Sequence, residues 1–277
     1  MRFDSKNAWQ CRSIWGAVSG MAVVLLALSG CAATPQNGPA RQEAPVSAVP
    51  ATEDMARRAH IRMELAASYL QAGQSQVALT EVGQAIALDP RNPDAYSLQG
   101  LILMGLRDYP AARNSLQQSL SLRPGDARTL HNIGWLNCLE GRYTQGIATL
   151  DQVLQTPRYA EQSKTLMAKA VCQRQAGDMT AAEHTFSQAY EIDAGNPLIA
   201  YHLADLLFRR QELERARFYV RRLNNGEYAN AESLWLGIRV ERAIGDKAAM
   251  RQLTEQLQRR FPDSKEWQRY EQGAFSG

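Results

Sequence analysis

A 34-residue period runs through this chain and limits its fold more than any other feature. The cleanest copy spans Pro93 to Asp126, with Tyr96, Gly100, Leu103, Ala112, Leu116 and Pro124 at positions four, eight, eleven, twenty, twenty-four and thirty-two. Each position has a packing reason in a helical hairpin. A bulky residue opens helix A, small residues at eight and twenty let helix B approach, and proline at thirty-two stops helix B because it lacks an N–H and clashes with the preceding turn. The same frame fits 59–92 upstream, with Ala66, Tyr69, Gly73, Ala78 and Pro90. It continues downstream as 127–162, 163–196, 197–230 and 231–264. The third copy carries about two extra residues near Pro157, and Ala194 stands where the fourth should have proline.

The frame resembles the tetratricopeptide repeat, whose hairpins cannot bury their apolar faces singly and so stack. The resemblance implies an all-α, right-handed α-solenoid of about six repeats and about twelve antiparallel helices. Residues 265–277, with Trp267 and Tyr270 at helical spacing, read as a C-terminal capping helix over the last repeat's apolar edge. A core that grows lengthwise lets 277 residues form one such array.

The N-terminal stretch has a different character. Arg2, Lys6 and Arg12 precede an apolar run from Gly16 to Leu28, which is too short for a comfortable span and fits a secretory signal. Leu28-Ser29-Gly30-Cys31 then resembles the lipobox of bacterial lipoproteins. This resemblance implies cleavage of 1–30 and acylation of Cys31, a palmitate-type anchor. Ala32, where aspartate would favour the inner membrane, implies an outer-membrane, periplasm-facing location. Residues 31–55 are read as a flexible tether, rich in Ala, Pro, Gln, Gly and Ser, with an average reach of about 25 Å.

The composition favours neither catalysis nor nucleic-acid binding. The net charge of +3 falls to +1 without 1–30, where Arg2, Lys6 and Arg12 face only Asp4. His60, His131, His184 and His202 fall in separate repeats with no metal-ligand spacing, and no nucleophile or phosphate-loop motif appears. No enzyme activity, cofactor, metal, nucleic acid or small-molecule substrate is expected. The remaining function is protein binding.

On helix A of such repeats, positions two, five, nine and twelve face a concave groove. Met63, Ala67, Leu70, Leu101, Met104, His131 and Trp135 occupy such positions in the first three copies and suggest an apolar groove for a peptide or amphipathic helix. The alternative is that they pack against neighbouring helices. Lys and Asn, which would grip a peptide carboxylate at positions five and nine, are missing there. Arg209, Arg210, Arg215, Arg217, Arg221, Arg222, Arg239 and Arg242 crowd the fifth and sixth copies, either as a basic face for an acidic partner or lipid, or as a solvated surface balanced by Glu212 and Glu214. Cys138 and Cys172 lie on helices A of consecutive repeats. They are read either as a disulfide across the irregular turn or as two buried thiols.

The lipobox, the tether and the repeats together resemble the pilotin-type lipoproteins of type IV pilus biogenesis, the PilW/PilF family. The likeness is sharpest in Leu203-Ala204-Asp205-Leu206-Leu207, in the run from Ala231 to Arg239, and in Phe261-Pro262-Asp263-Ser264 with Glu266 and Tyr270. It implies that the protein escorts secretin subunits to the outer membrane and promotes their multimerisation, supporting twitching motility. Leu70, Leu101 and Trp135 would hold a secretin segment. A general periplasmic scaffold that docks cell-wall enzymes shares the same features.

Overall fold

The computed structural model describes residues 51–275, which form thirteen α-helices and no strand. Six hairpins follow the 34-residue frame. They are α1 (Ala51–Gln71) with α2 (Ser75–Leu88), α3 (Pro93–Gly105) with α4 (Tyr109–Leu122), and α5 (Ala127–Leu139) with α6 (Tyr143–Leu154). Next come α7 (Gln162–Gln175) with α8 (Met179–Ile192), α9 (Pro197–Arg209) with α10 (Leu213–Asn224), and α11 (Ala231–Ile244) with α12 (Lys247–Arg260). The cap is α13 (Lys265–Glu271). Each helix packs on the next, and the odd-numbered helices also meet one another as an inner row, α1 to α3 to α5 to α7 and α9 to α11 to α13.

The small residues of the frame let the two helices of a hairpin approach closely. Ala78, Ala112, Ala182 and Ala216 at position twenty are fully buried, as are Val82, Leu116, Leu150 and Phe186 at twenty-four. At position eight, a Cβ added to Gly100 would lie 2.6 Å from Leu116 Cγ, so only glycine fits there without moving the helix pair.

The repeats also share a turn, to which Gly73 of the sequence frame belongs. Position fifteen, between helices A and B, is left-handed in all six hairpins: Gly73, Arg107, Gly141, Gly177, Gln211 and Gly245 have φ from 62° to 91°. Arg107 and Gln211 hold there a conformation that glycine adopts more easily. Arg107→Gly and Gln211→Gly are each expected to stabilise the protein by about 0.5–1 kcal/mol, read as a higher urea midpoint with an unchanged slope.

Most helix starts are set by side-chain caps. Asn92, Asp126, Asn196, Asn230 and Ser264 each accept a backbone N–H of the inner-row helix that follows, and Asp108, Asp178 and Asp246 do the same for α4, α8 and α12. In the fourth repeat α8 stops at Ile192 although Ala194 replaces the expected proline, because Asp193 leaves the helical conformation at φ −140°.

Two boundaries differ from the sequence reading. The tether was placed at 31–55, yet residues 51–55 already belong to α1, which starts eight residues before the first frame. Asp54 pairs with Arg57 and Arg58 one turn on, at 2.7 and 2.6 Å, and such pairs support an exposed helical turn. The extra residues of the third repeat lengthen the α6–α7 connection to 155–161, with Arg158 left-handed at φ 57°. At the far end, α13 and the residues after it cover α11. Phe275 stacks on Trp235 with ring centres 5.2 Å apart, and Trp267 stacks on Tyr270 at 5.4 Å.

Candidate protein-interaction groove

The inner row of the first repeats carries a cavity of about 250 Å³. Met63, Leu98 and Leu101 give it apolar walls, while Ser97, His131 and Asn132 line it with neutral polar groups. Asn132 Nδ2 and Thr129 Oγ1 both donate to Ser97 Oγ, at 3.3 and 3.2 Å, which fixes the polar side of the floor. Around the rim, Arg128 pairs with Asp94 at 2.9 Å and Lys164 with Glu161 at 2.9 Å. These rim charges cancel, so the groove suits an apolar or neutral segment better than a charged one.

The expected groove residues divide between this cavity and the core. Met63, Leu101 and His131 line the cavity, and Leu101 is 38% exposed. Ala67 and Leu70 are half-buried on α1, where Leu70 packs against the core of the first two repeats. Met104 was expected in the groove and lies instead in the core with Leu103, Leu116 and Leu136, because α5 stacks on α3 and covers position twelve. Trp135 is half-buried, bridging that core and the cluster around Cys138 and Cys172. Its ring therefore serves packing rather than the cavity.

His131 is 6% exposed and its Nδ1 is hydrogen-bonded to Thr165 Oγ1 at 2.8 Å, while Tyr159 reaches the same hydroxyl at 3.1 Å. Burial, and then the nearby Lys164 ammonium, push its pKa down to about 4, with Glu161 opposing. The folded state thus holds a neutral imidazole that the unfolded chain would protonate near pH 6.5. This stability is present in full above pH 6.5 and is lost as pH falls towards 4. The expected loss is about 2–3 kcal/mol over that window, checked by urea unfolding at successive pH values. His131→Gln should flatten the profile.

Two models of the tetratricopeptide repeat match this sequence, one over 63–127, 97–163 and 140–197 and the other over 173–234, together well over half of the chain. The chain belongs to the tetratricopeptide repeat family. Among its relatives, the type IV pilus assembly protein PilF of Pseudomonas aeruginosa is 27% identical over 251 residues, covering 90% of this chain and 96% of PilF. The solved structure of P. aeruginosa PilF matches with a TM-score of 0.65 at 25% identity, over 79% of this chain and 99% of that one. PilW, described as a widely conserved type IV pilus biogenesis factor, matches with a TM-score of 0.68 at 26% identity, over 76% and 97%.

As a tetratricopeptide repeat array, the protein needs contacts that hold each hairpin to the next, and these explain most of the arginines in the late repeats. Arg217 and Arg221 of α10 reach Glu241 of α11, whose side chain is fully buried, at 3.1 and 2.7 Å. Arg210 and Arg215 both pair with Glu183 of the preceding repeat. Arg222 and Arg242 lie over the rings of Tyr190 and Phe275. These side chains are struts between repeats rather than a free basic surface. Of the balancing acids read from the sequence, Glu212 does pair with Arg210 and Arg215, while Glu183, Glu241 and Asp246 were missed.

Cys138 and Cys172 are joined in a disulfide with their Cα atoms 5.5 Å apart, linking α5 to α7 across the long 155–161 connection. Cys31 lies outside the described residues. Among those described, no helix is long and apolar enough to cross a membrane.

Proposed function

We propose that this protein is an outer-membrane lipoprotein of type IV pilus biogenesis and acts as a pilotin, binding secretin subunits and promoting their outer-membrane localisation and multimerisation. The observation that carries this reading is the extent of the likeness to PilF, 90% of this chain and 96% of PilF, since a generic repeat match would stop at the repeats. The cavity lined by Met63, Leu98 and Leu101 would receive an apolar segment of the secretin, and acylated Cys31 would provide the membrane address. The Cys138–Cys172 disulfide suits an oxidising periplasm.

The test is secretin assembly in a strain lacking this gene, scored as heat-resistant multimers in isolated envelopes. Multimers should be lost or confined to the inner membrane, and should return with the wild-type chain. Met63→Ala with Leu101→Ala should restore them poorly, and Cys31→Ser should release the protein into the periplasm. Normal secretin rings in the deletion strain would instead direct attention to cell-wall enzymes as partners of a general scaffold.

A further inference from the structure

Pockets that hold whole small molecules run from about 300 Å³ upward. At about 250 Å³, the cavity of the first repeats has room for one large side chain and not for a helix. Its lining is divided by kind. Met63 of α1 with Leu98 and Leu101 of α3 form an apolar end, and His131 and Asn132 of α5 form a polar one. The rim pairs, Asp94 with Arg128 and Glu161 with Lys164, leave no net charge to attract an ion.

Each residue of the polar end keeps one atom unbonded among the described residues. Asn132 Nδ2 donates to Ser97 Oγ at 3.3 Å, which leaves Asn132 Oδ1 as an acceptor without a donor. His131 Nδ1 is bonded to Thr165 Oγ1, itself 3.1 Å from the Tyr159 hydroxyl, and this leaves Nε2. The relay that places all of its protons runs from Tyr159 to Thr165 to Nδ1, so the neutral imidazole carries its proton on Nε2 and donates there. One acceptor and one donor therefore wait together at this end. A hydroxyl, with one proton and two lone pairs, satisfies both. A carboxylate cannot donate to Asn132, an ammonium cannot accept from His131, and an indole N–H serves Asn132 alone.

The apolar end suits a ring. Asn92 Nδ2 donates to Met63 Sδ at 3.5 Å, which fixes a thioether where an aromatic edge can meet it, and the two leucines supply the remaining contact. We infer that the groove recognises its partner through one tyrosine on a neutral segment, with the ring among Met63, Leu98 and Leu101 and the hydroxyl between Asn132 and His131. The inference rests on the reading that this groove holds a segment of the partner, and it names the residue that anchors that segment.

The probes are two acetylated and amidated heptapeptides of glycine and serine, identical except for a central tyrosine or phenylalanine. Each is titrated into the chain from residue 31, with Cys31→Ser to keep it free of lipid, while the methyl resonances of Met63, Leu98 and Leu101 are followed by NMR. The phenylalanine peptide keeps the ring and the main chain and lacks only the hydroxyl. The tyrosine peptide should bind about three- to tenfold more tightly, as expected for a hydroxyl with two partners. Asn132→Ala should weaken the tyrosine peptide alone and bring the two dissociation constants together. Leu101→Ala should weaken both peptides by a similar factor. Leu101 is 38% exposed and Asn132 half-buried, and thermal melts verify that both variants fold. Groove methyls that respond equally to the two peptides, or a preference for tyrosine that survives Asn132→Ala, overturn the tyrosine anchor and leave the groove itself standing. Methyls that respond to neither peptide overturn both.

Discussion

Reducing the Cys138–Cys172 disulfide is expected to lower stability by about 3–4 kcal/mol, the loop-closure cost for a separation of 34 residues. The loss should not be spread evenly. In a stacked array each hairpin leans only on its neighbours, and the α6–α7 connection at 155–161 is longer than the four-residue links at 89–92 and 123–126. The bridge ties α5 to α7 across that weak joint, and Trp135 packs against it. Urea unfolding with and without reductant should show one transition in the oxidised protein and a broader or split one after reduction. Hydrogen exchange should rise first in α5 to α7. A uniform shift with exchange unchanged there would mean that the bridge adds stability without acting as the joint between two halves.

Glu241→Ala should cost about 1.5–3 kcal/mol, the loss of charge-assisted hydrogen bonds to a buried carboxylate, discounted because its arginine partners stay in reach of water. Its carboxylate is fully buried and accepts from Arg221 Nε at 2.7 Å and Arg217 Nε at 3.2 Å, so the substitution unpairs two partly exposed guanidinium groups at the α10–α11 interface. Arg217 keeps Asp246 at 2.6 Å, which limits the loss. Urea is the right denaturant here, because guanidinium chloride would screen the charges being measured. Glu241→Gln, which keeps the shape, should cost less. Replacing Arg217 and Glu241 together by apolar residues should recover part of the loss, since a buried pair is weaker evidence for stability than its rupture suggests.

The repeat fold was legible in the sequence because small residues at fixed spacing are a packing requirement, visible wherever two helices must approach. Ala112 under Leu116 and Gly100 beside it are such a case. The cysteine pair was legible as one of two readings, since its spacing matches one repeat step. Groove residues were only partly legible. Position twelve faces the groove in an isolated hairpin, but the neighbouring hairpin covers Met104, and a one-repeat frame does not contain that neighbour. Asn132 was missed for a similar reason. It stands at position six, beside the positions that a one-repeat frame turns to the groove, and the stacking of α5 on α3 brings it to Ser97.

The struts between hairpins have one further consequence. Arg113 of the second repeat meets Glu140 of the third, and Glu183 of the fourth meets Arg210 of the fifth; both pairs join positions twenty-one and fourteen, with the signs exchanged. A hairpin set beside the wrong successor would put Arg113 against Arg210, or Glu183 against Glu140. Repeats so alike in apolar pattern could otherwise mate out of turn during folding, or exchange partners between molecules. Like-charge contact makes those two pairings unfavourable, so the polarity of these ion pairs disfavours the exchanged junctions and favours the native ones.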